Sequence, residues 1–321
     1  MPDSVEIIAP SRLHFGLLSF GQSGTRQCGG AGVMIDQPGL RLRVWRAAQF
    51  EASGPLASRA RAVVERYAQM LEVAGLPPCR VEILSAAEEH AGLGTGTQLA
   101  LSVVQAMHMV RGGEPLLPAV LATWTGRAVR SAIGTHGFVH GGLLVETGKV
   151  ANQLLAPLER RVELPETWRF VLIRPHGEHG LSGDEERGAF NDLPPVPRAT
   201  TAALLAELAD EMLPAATAGE FERFSESVYR YGHAAGMCFA AKQGGPFASQ
   251  RLADLVAMIR KRSIRGVGQS SWGPTIFAVL DSAMAAEKFA ADLRPELDPC
   301  DTVIIAEPNR SGARIIPREQ A

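Results

Sequence analysis

Residues 88–98 read Glu88-Glu89-His90-Ala91-Gly92-Leu93-Gly94-Thr95-Gly96-Thr97-Gln98, and the reading of this stretch decides the fold. Glycines at alternate positions allow positive φ angles and let an anion approach the main chain without Cβ clashes. Beyond them Leu99, Val103, Ala106, Met107 and Val110 recur as one face of a helix, which Thr95 or Thr97 could cap. A helix start offers free N–H groups and the positive end of its dipole, a natural diphosphate site. No Lys follows the glycines, so this is not a Walker loop, and the spacing is not GxGxxG. Taken alone, the loop also fits a tight strand-to-helix connection with no ligand.

Working outward, residues 5–9 read as a short strand ended by Pro10, and 13–20 as a second strand interrupted by the glycine-rich stretch 21–32. Residues 33–36 and 40–45 are strand-like, separated by the turn pair Pro38-Gly39. A helix is predicted over 58–74, stopped by Gly75 and Pro77, then a strand over 80–84. A helix over 116–129 and a strand over 137–147 follow. The second half opens with a strand at 169–173, a glycine-containing loop to 186 and a proline-rich break at 192–197. Helical blocks at 199–212, 220–240 and 249–262 precede a strand, a helix and a strand at 275–280, 282–293 and 302–306. This mixture predicts an α+β protein with a domain boundary near 150–168.

The formal charge of −2 removes the strongest reason to expect a nucleic-acid or membrane-surface binder. The stretch 91–110 is uncharged and long enough to span a bilayer, but its Thr, Gln and His residues and glycines make it a poor lipid-facing helix. The first residues lack a basic segment followed by an apolar core, so a cytoplasmic protein is expected. Cys28, Cys79, Cys238 and Cys300 are far apart and suggest no disulfide framework or zinc site. Only four basic residues are lysine (Lys149, Lys242, Lys261, Lys288), so a phosphate or carboxylate site is expected to use arginine forks.

Gly92-Leu93-Gly94-Thr95-Gly96-Thr97-Gln98 resembles the phosphate loop of the GHMP kinase superfamily. Two further landmarks stand in the superfamily's order. Ala9-Pro10-Ser11-Arg12-Leu13-His14-Phe15-Gly16 resembles its first motif, and Gly266-Val267-Gly268-Gln269-Ser270-Ser271-Trp272-Gly273-Pro274 its glycine-rich third motif. The resemblance implies a GHMP-kinase-like α+β fold, with a ribosomal-S5-like N-terminal domain over 1–160 and a ferredoxin-like C-terminal domain over 161–321.

In detail the motifs point away from a kinase. Ser11–Leu18, Gly29-Gly30-Ala31-Gly32-Val33 and the 90–98 loop are similar to β-ribofuranosylaminobenzene 5′-phosphate synthase, a non-kinase branch. That resemblance implies transfer from 5-phosphoribosyl 1-diphosphate to 4-aminobenzoate or 4-hydroxybenzoate, releasing CO2 and diphosphate, in methanopterin-type cofactor synthesis. It also implies small-molecule partners, a homodimer and Mg²⁺. Residue 19 is Ser where the resemblance leads one to expect an acid, so no metal ligand is carried over there. A kinase and a non-catalytic metabolite-binding protein remain the alternatives.

The chemistry asks for cations on the leaving diphosphate and a planar two-donor partner for the aryl carboxylate. Arg12, His14 and Arg26 are the expected catalytic residues, and Gly92, Leu93, Gly94, Thr95, Gly96, Thr97 and Gln98 the diphosphate cradle. Ser11, Ser182, Glu186, Ser270, Ser271 and Trp272 are the expected substrate contacts, with Trp272 free to stack on an aromatic ring. His136 and His140 stand four apart, but glycines at 134, 137, 141 and 142 argue against a helix there and hence against a zinc pair. Met107, Met109, Met237 and Met258 read as core.

Overall fold

The computed structural model describes residues 2–180, 188–190 and 192–319. Two long antiparallel strands, β1 (Ser4–Ser19) and β2 (Cys28–Arg46), form the spine of a seven-stranded sheet. β3 (Glu51–Ser53), α1 (Ala57–Met70) and β4 (Cys79–Ser85) follow, and β4 pairs β2 while β3 lies parallel beside it. After α2 (Thr95–Val110), α3 (Pro118–Thr125) and α4 (Ile133–His140), β5 (Leu143–Glu146) also pairs β2, and β6 (Leu158–Val162) extends it.

The second sheet has the order β10-β7-β9-β8. β7 (Arg169–Arg174), β8 (Val267–Gln269), β9 (Ile276–Leu280) and β10 (Thr302–Ala306) are all antiparallel to their neighbours. Between them lie α5 (Arg198–Ala206), continued through a π-turn at Glu207–Met212 into Leu213–Ala218, then α6 (Phe221–Met237) and α7 (Gln250–Lys261). α8 (Ala283–Leu293) connects β9 to β10. The last strand, β11 (Arg314–Arg318), returns to the first sheet and pairs β1. There Arg318, Arg41 and Arg43 converge on the buried Glu6, whose pKa falls because hydrogen bonds from Arg43 and Arg41 outweigh the burial that would raise it.

One core packs Val5, Ile7, Leu42 and Val44 against α1, α2 and α3. A second joins Leu13, Phe15 and Val33 to Phe170, Phe277 and the α5–α6 pair, and so welds the two sheets. A third backs the second sheet with α7 and α8. α2 runs through the middle with 13 of its 16 residues buried. A helix covered on all sides carries no charged face, which accounts for the uncharged run at 91–110. Among the described residues no helix is long and apolar enough to cross a membrane.

Several expected breaks are absent. Pro10 does not end a strand: it falls at a register shift between paired Ala9 and Ser11, where no ladder N–H is needed. Pro38 and Gly39 lie in the excess residues of β2 opposite that shift, so the expected turn is absent and β2 is continuous from Cys28, while the glycine stretch does separate β1 from β2 up to residue 27. The glycines at 134 and 137 do not prevent a helix, because α4 exists to press on β2: a Cβ at Gly137 would stand 2.2 Å from Met34 Sδ. The rings of His136 and His140 then stack with centroids 6.4 Å apart. Met237 is half exposed rather than core. The division drawn at 160/161 falls inside β6, and β11 belongs to the first sheet, so the two sheets do not follow that division.

Candidate active site

A cavity of about 550 Å³ opens where the 90–97 loop, β1, the loop before α4 and the 269–273 loop meet. Its walls are laced by main-chain bonds. Arg12 N–H donates to Leu93 O at 2.9 Å, and Ser271 N–H to His14 O at 3.0 Å. Ser270, fully buried, donates through Oγ to Gly92 O at 2.8 Å and accepts from His14 N–H at 3.0 Å. The two glycine loops touch backbone to backbone: with φ 83° at Gly92, a Cβ there would lie 2.3 Å from Ser270 O, and one at Gly273 2.2 Å from Gly92 N.

Gly94, at φ 74°, precedes the first turn of α2, and no side chain caps that turn. Thr95 does not cap it because its hydroxyl is spent on Glu88 O at 3.2 Å. The first N–H groups of a helix have no partner within it, and here they face cations. A Cβ at Gly96 would stand 3.2 Å from Arg59 Nη1 and 3.7 Å from Arg127 Nη2, while Arg12 runs alongside Gly94. Burial, then repulsion from Arg59 and Arg66, lowers the Arg127 pKa. Arg59 pairs with Glu89 at 2.6 Å, but no acid pairs with Arg127 among the described residues. Such a cluster is poised for an anion of more than one charge. The cations of the lining are Arg12, Arg59, Arg127 and Arg130, with no lysine among the described residues, in line with the composition.

Another part of the lining is aromatic. Trp272 packs with Phe190 and Phe239 at centroid distances of 4.9 and 5.1 Å, and its indole N–H has no partner among the described residues. Arg130 lies over the Phe190 ring at 4.5 Å.

Of the expected site residues, Arg12, His14, residues 92–97, Ser271 and Trp272 line the cavity. The others do not. Gln98 is buried and donates to Gly134 O at 2.9 Å, tying α2 to α4. Ser11 donates to Pro38 O and secures the β1–β2 irregularity, and Ser270 braces the loops without reaching the cavity. Arg26, expected to be catalytic, instead donates to Gly148 O at 2.9 Å and Gln153 Oε1 at 3.2 Å, away from the lining. Ser182 and Glu186 lie outside the described residues.

Sequence reasoning missed Arg59, Arg127, Arg130, Ser131 and Glu146. Gly126-Arg127-Ala128-Val129-Arg130-Ser131, two arginines in a loop opened by glycine, was the available signal for three of them. Burial drives the Glu146 pKa up to about 7, against Ser131, the Ala132 N–H and Arg12. Ser19, where an acid was expected, donates to Arg26 O at 2.9 Å.

The sequence and the fold are similar to those of known proteins. A β-ribofuranosylphenol 5′-phosphate synthase of Archaeoglobus fulgidus is 29% identical, covering 94% of this chain and 96% of that protein. Another from Methanocaldococcus jannaschii is 26% identical over 96% of this chain and 99% of its own length. The chain is thus similar to these synthases over nearly the whole of its length and theirs. It is an enzyme of the GHMP kinase fold. Homoserine kinase from Cytophaga hutchinsonii superposes with a TM-score of 0.67 at 14% identity, covering 98% of both chains. Mevalonate diphosphate decarboxylase from Staphylococcus aureus does so with 0.64 at 15% identity, also covering 98% of both. No family model matches the sequence.

Proposed function

We propose that the chain joins 5-phosphoribosyl 1-diphosphate to 4-hydroxybenzoate or 4-aminobenzoate, releasing CO2 and diphosphate, in methanopterin-type one-carbon cofactor synthesis. The observation that carries this reading is the division of one cavity into an arginine-clad helix N-terminus and an aromatic wall. The volume lies within the usual range of small-molecule sites. The relatives' names, with a ribose phosphate on a phenol, fit the same pair of substrates.

In this reading Arg59, Arg127 and the first N–H groups of α2 hold the diphosphate. They neutralise the charge that grows as the anomeric C–O bond breaks. The aryl ring stacks on Trp272 and Phe190, and the Arg12 fork holds its carboxylate beside the sugar. The ring carbon bearing the carboxylate attacks the anomeric carbon as diphosphate leaves. Loss of CO2 returns the bonding pair to the ring. No enzyme nucleophile is required, and alignment of the two substrates supplies most of the barrier reduction.

The family chemistry brings Mg²⁺ to mind, but no group of three acidic, His or Cys side chains suited to a metal occurs among the described residues. The nearby carboxylate, Glu89, is engaged by Arg59. These residues do not fit a protein-held ion. Mg²⁺ is proposed to arrive on the substrate's own diphosphate, and no step above runs through it.

The test is incubation with phosphoribosyl diphosphate, Mg²⁺ and each benzoate, following CO2 and diphosphate. Equal amounts of both are expected. No diphosphate release with either acid overturns the reading, and ATP-dependent phosphorylation of an alcohol instead would make the chain a kinase.

A further inference from the structure

Glu146 is a carboxylate with no exposed surface at the end of β5, and the transfer chemistry above does not use it. β5 lies two strands from β1, with β2 between: Glu146 is opposite Gly30, and His14 opposite Gly32. Strands two apart are separated by about 10 Å, too far for an imidazole and a carboxylate to meet. The intervening positions carry no side chain, and a Cβ at Gly30 would stand 3.5 Å from His14 Cε1. The gap is bridged by Ser131. Its hydroxyl lies 3.0 Å from His14 Nε2 and acts on the Glu146 carboxylate, whose buried Oε1 has no other hydrogen-bond partner among the described residues. Ile133 N–H donates to the same hydroxyl oxygen at 3.3 Å, and Ala132 N–H to Glu146 Oε2 at 2.7 Å.

Counting protons along this chain fixes its direction. A serine hydroxyl has one proton and two lone pairs. The ionised carboxylate takes the proton, and Ile133 N–H takes one lone pair. The other lone pair must accept from Nε2–H of His14. Burial, then Arg12, hold the His14 pKa well below its usual value, so the ring is neutral and Nδ1 carries the free pair. His14 lines the cavity. Arg12 precedes it by two residues on the same strand face, about 7 Å along β1, comparable to the length of a para-substituted benzoate.

Resting on the reaction proposed above, we infer that Glu146, acting through Ser131, fixes His14 as the Nε2–H tautomer. His14 Nδ1 then takes the proton of the acceptor's 4-hydroxyl or 4-amino group during attack on the sugar. The pair released from that O–H or N–H moves through the ring to the carbon bearing the carboxylate. That carbon bonds the anomeric carbon as the C–O pair departs with diphosphate. When CO2 leaves, its bonding pair restores the ring, and the 4-substituent recovers its proton from His14. No net proton is consumed. Glu146 touches no substrate and is a positioning residue.

Protonation of Glu146 reverses the chain. Its new O–H donates to Ser131, Ser131 must donate to Nε2, and His14 becomes Nδ1–H with no base in the cavity. Glu146 faces Arg12 from β1, Cys28 from β2 and Tyr231 from α6, with Arg130 and Lys149 beside Cys28. With the Glu146 pKa near 7, the base is present above that pH and lost as pH falls through it.

The experiment is nitrogen-15 spectroscopy of the histidine rings in the free protein, alongside kcat against pH. Wild type is expected as Nε2–H at about pH 8.5 and Nδ1–H by about pH 6, both neutral. Glu146→Gln is expected as Nδ1–H throughout. Its amide oxygen must face Ala132 N–H, which turns its NH2 toward Ser131. Its kcat should fall on the order of 100-fold, with KM for phosphoribosyl diphosphate little changed. Ser131→Ala, at the half-exposed rim, should lose both the tautomer bias and the pH step and serves if Glu146→Gln does not fold. Nδ1–H in wild type at the higher pH, or a tautomer unmoved by either substitution, overturns the inference. Because the tautomer is read without substrate, absence of diphosphate release would count against the proposed reaction alone.

Discussion

In one part of the cavity wall the contacts are directional and fixed by main chain. In another they are aromatic surfaces without direction. Arg12 N–H is bonded to Leu93 O of the glycine loop, and Gly92 and Gly273 meet with no room for a methyl group. Around Trp272 the rings of Phe190 and Phe239 meet at tilted and edge-on angles, an arrangement that tolerates a flat guest. Under the proposed reaction, the difference is what lets one site take two unlike substrates. A diphosphate needs donors held in place before it binds, because an anion gains most from charges that do not reorganise. An aryl ring needs area, and its orientation comes from the few polar groups at its ends.

The sharpest way to break this contrast is Arg127→Ala. Loss of charged hydrogen bonds should lower kcat/KM for phosphoribosyl diphosphate about 100-fold. Urea unfolding should show no loss of stability, because the neighbours acting on Arg127 are the like charges Arg59 and Arg66. An unchanged KM for phosphoribosyl diphosphate would remove the anion site from this part of the wall. Next comes Gly92→Ala, which forces a Cβ into the Ser270 carbonyl. A destabilisation of about 2 kcal/mol is expected from overpacking, read as a lower urea midpoint.

Trp272→Ala should raise KM for the aryl acid about tenfold while leaving that for phosphoribosyl diphosphate in place. Equal rises for both would merge the two parts into one. Added salt sharpens the same point: affinity for phosphoribosyl diphosphate should fall several-fold by about 0.5 M, with a smaller change for the aryl acid. The smallest effect belongs to Glu88→Ala. It removes an ion pair with Arg174 in which Glu88 is 63% exposed, worth under about 1 kcal/mol in a thermal melt.

What could be read from the chain tracks how locally each feature is encoded. The helices α1, α6, α7 and α8 announce themselves by apolar spacing, and α7 and α8 by Ser249 and Ser282, which cap them. The loop before α2 is legible because its glycines, its apolar helix and its position between β1 and the 266–274 stretch agree. α4 was hidden because its glycines serve a close approach to Met34 rather than a turn. β11 was hidden because its place beside β1 depends on Arg318 finding Glu6 from the far end of the chain. Ser11, Ser270 and Gln98 share sequence motifs with the site but spend their polar atoms holding its walls.

The sequence by itself determined the mixed α/β class, the glycine loop at the start of a buried helix and the preference for arginine over lysine. Each depends on residues within a few positions of one another, where spacing and side-chain type are sufficient. The tertiary structure decided which arginines are used: Arg59 and Arg127 come from α1 and the loop before α4 to the first turn of α2, while Arg26 turns away. It also joined Glu146, Ser131 and His14 across three strands of the sheet. Neither grouping has a sequence period, because sheet pairing and helix packing bring together residues from dozens to more than a hundred positions apart. Burial then sets the charge those groups carry.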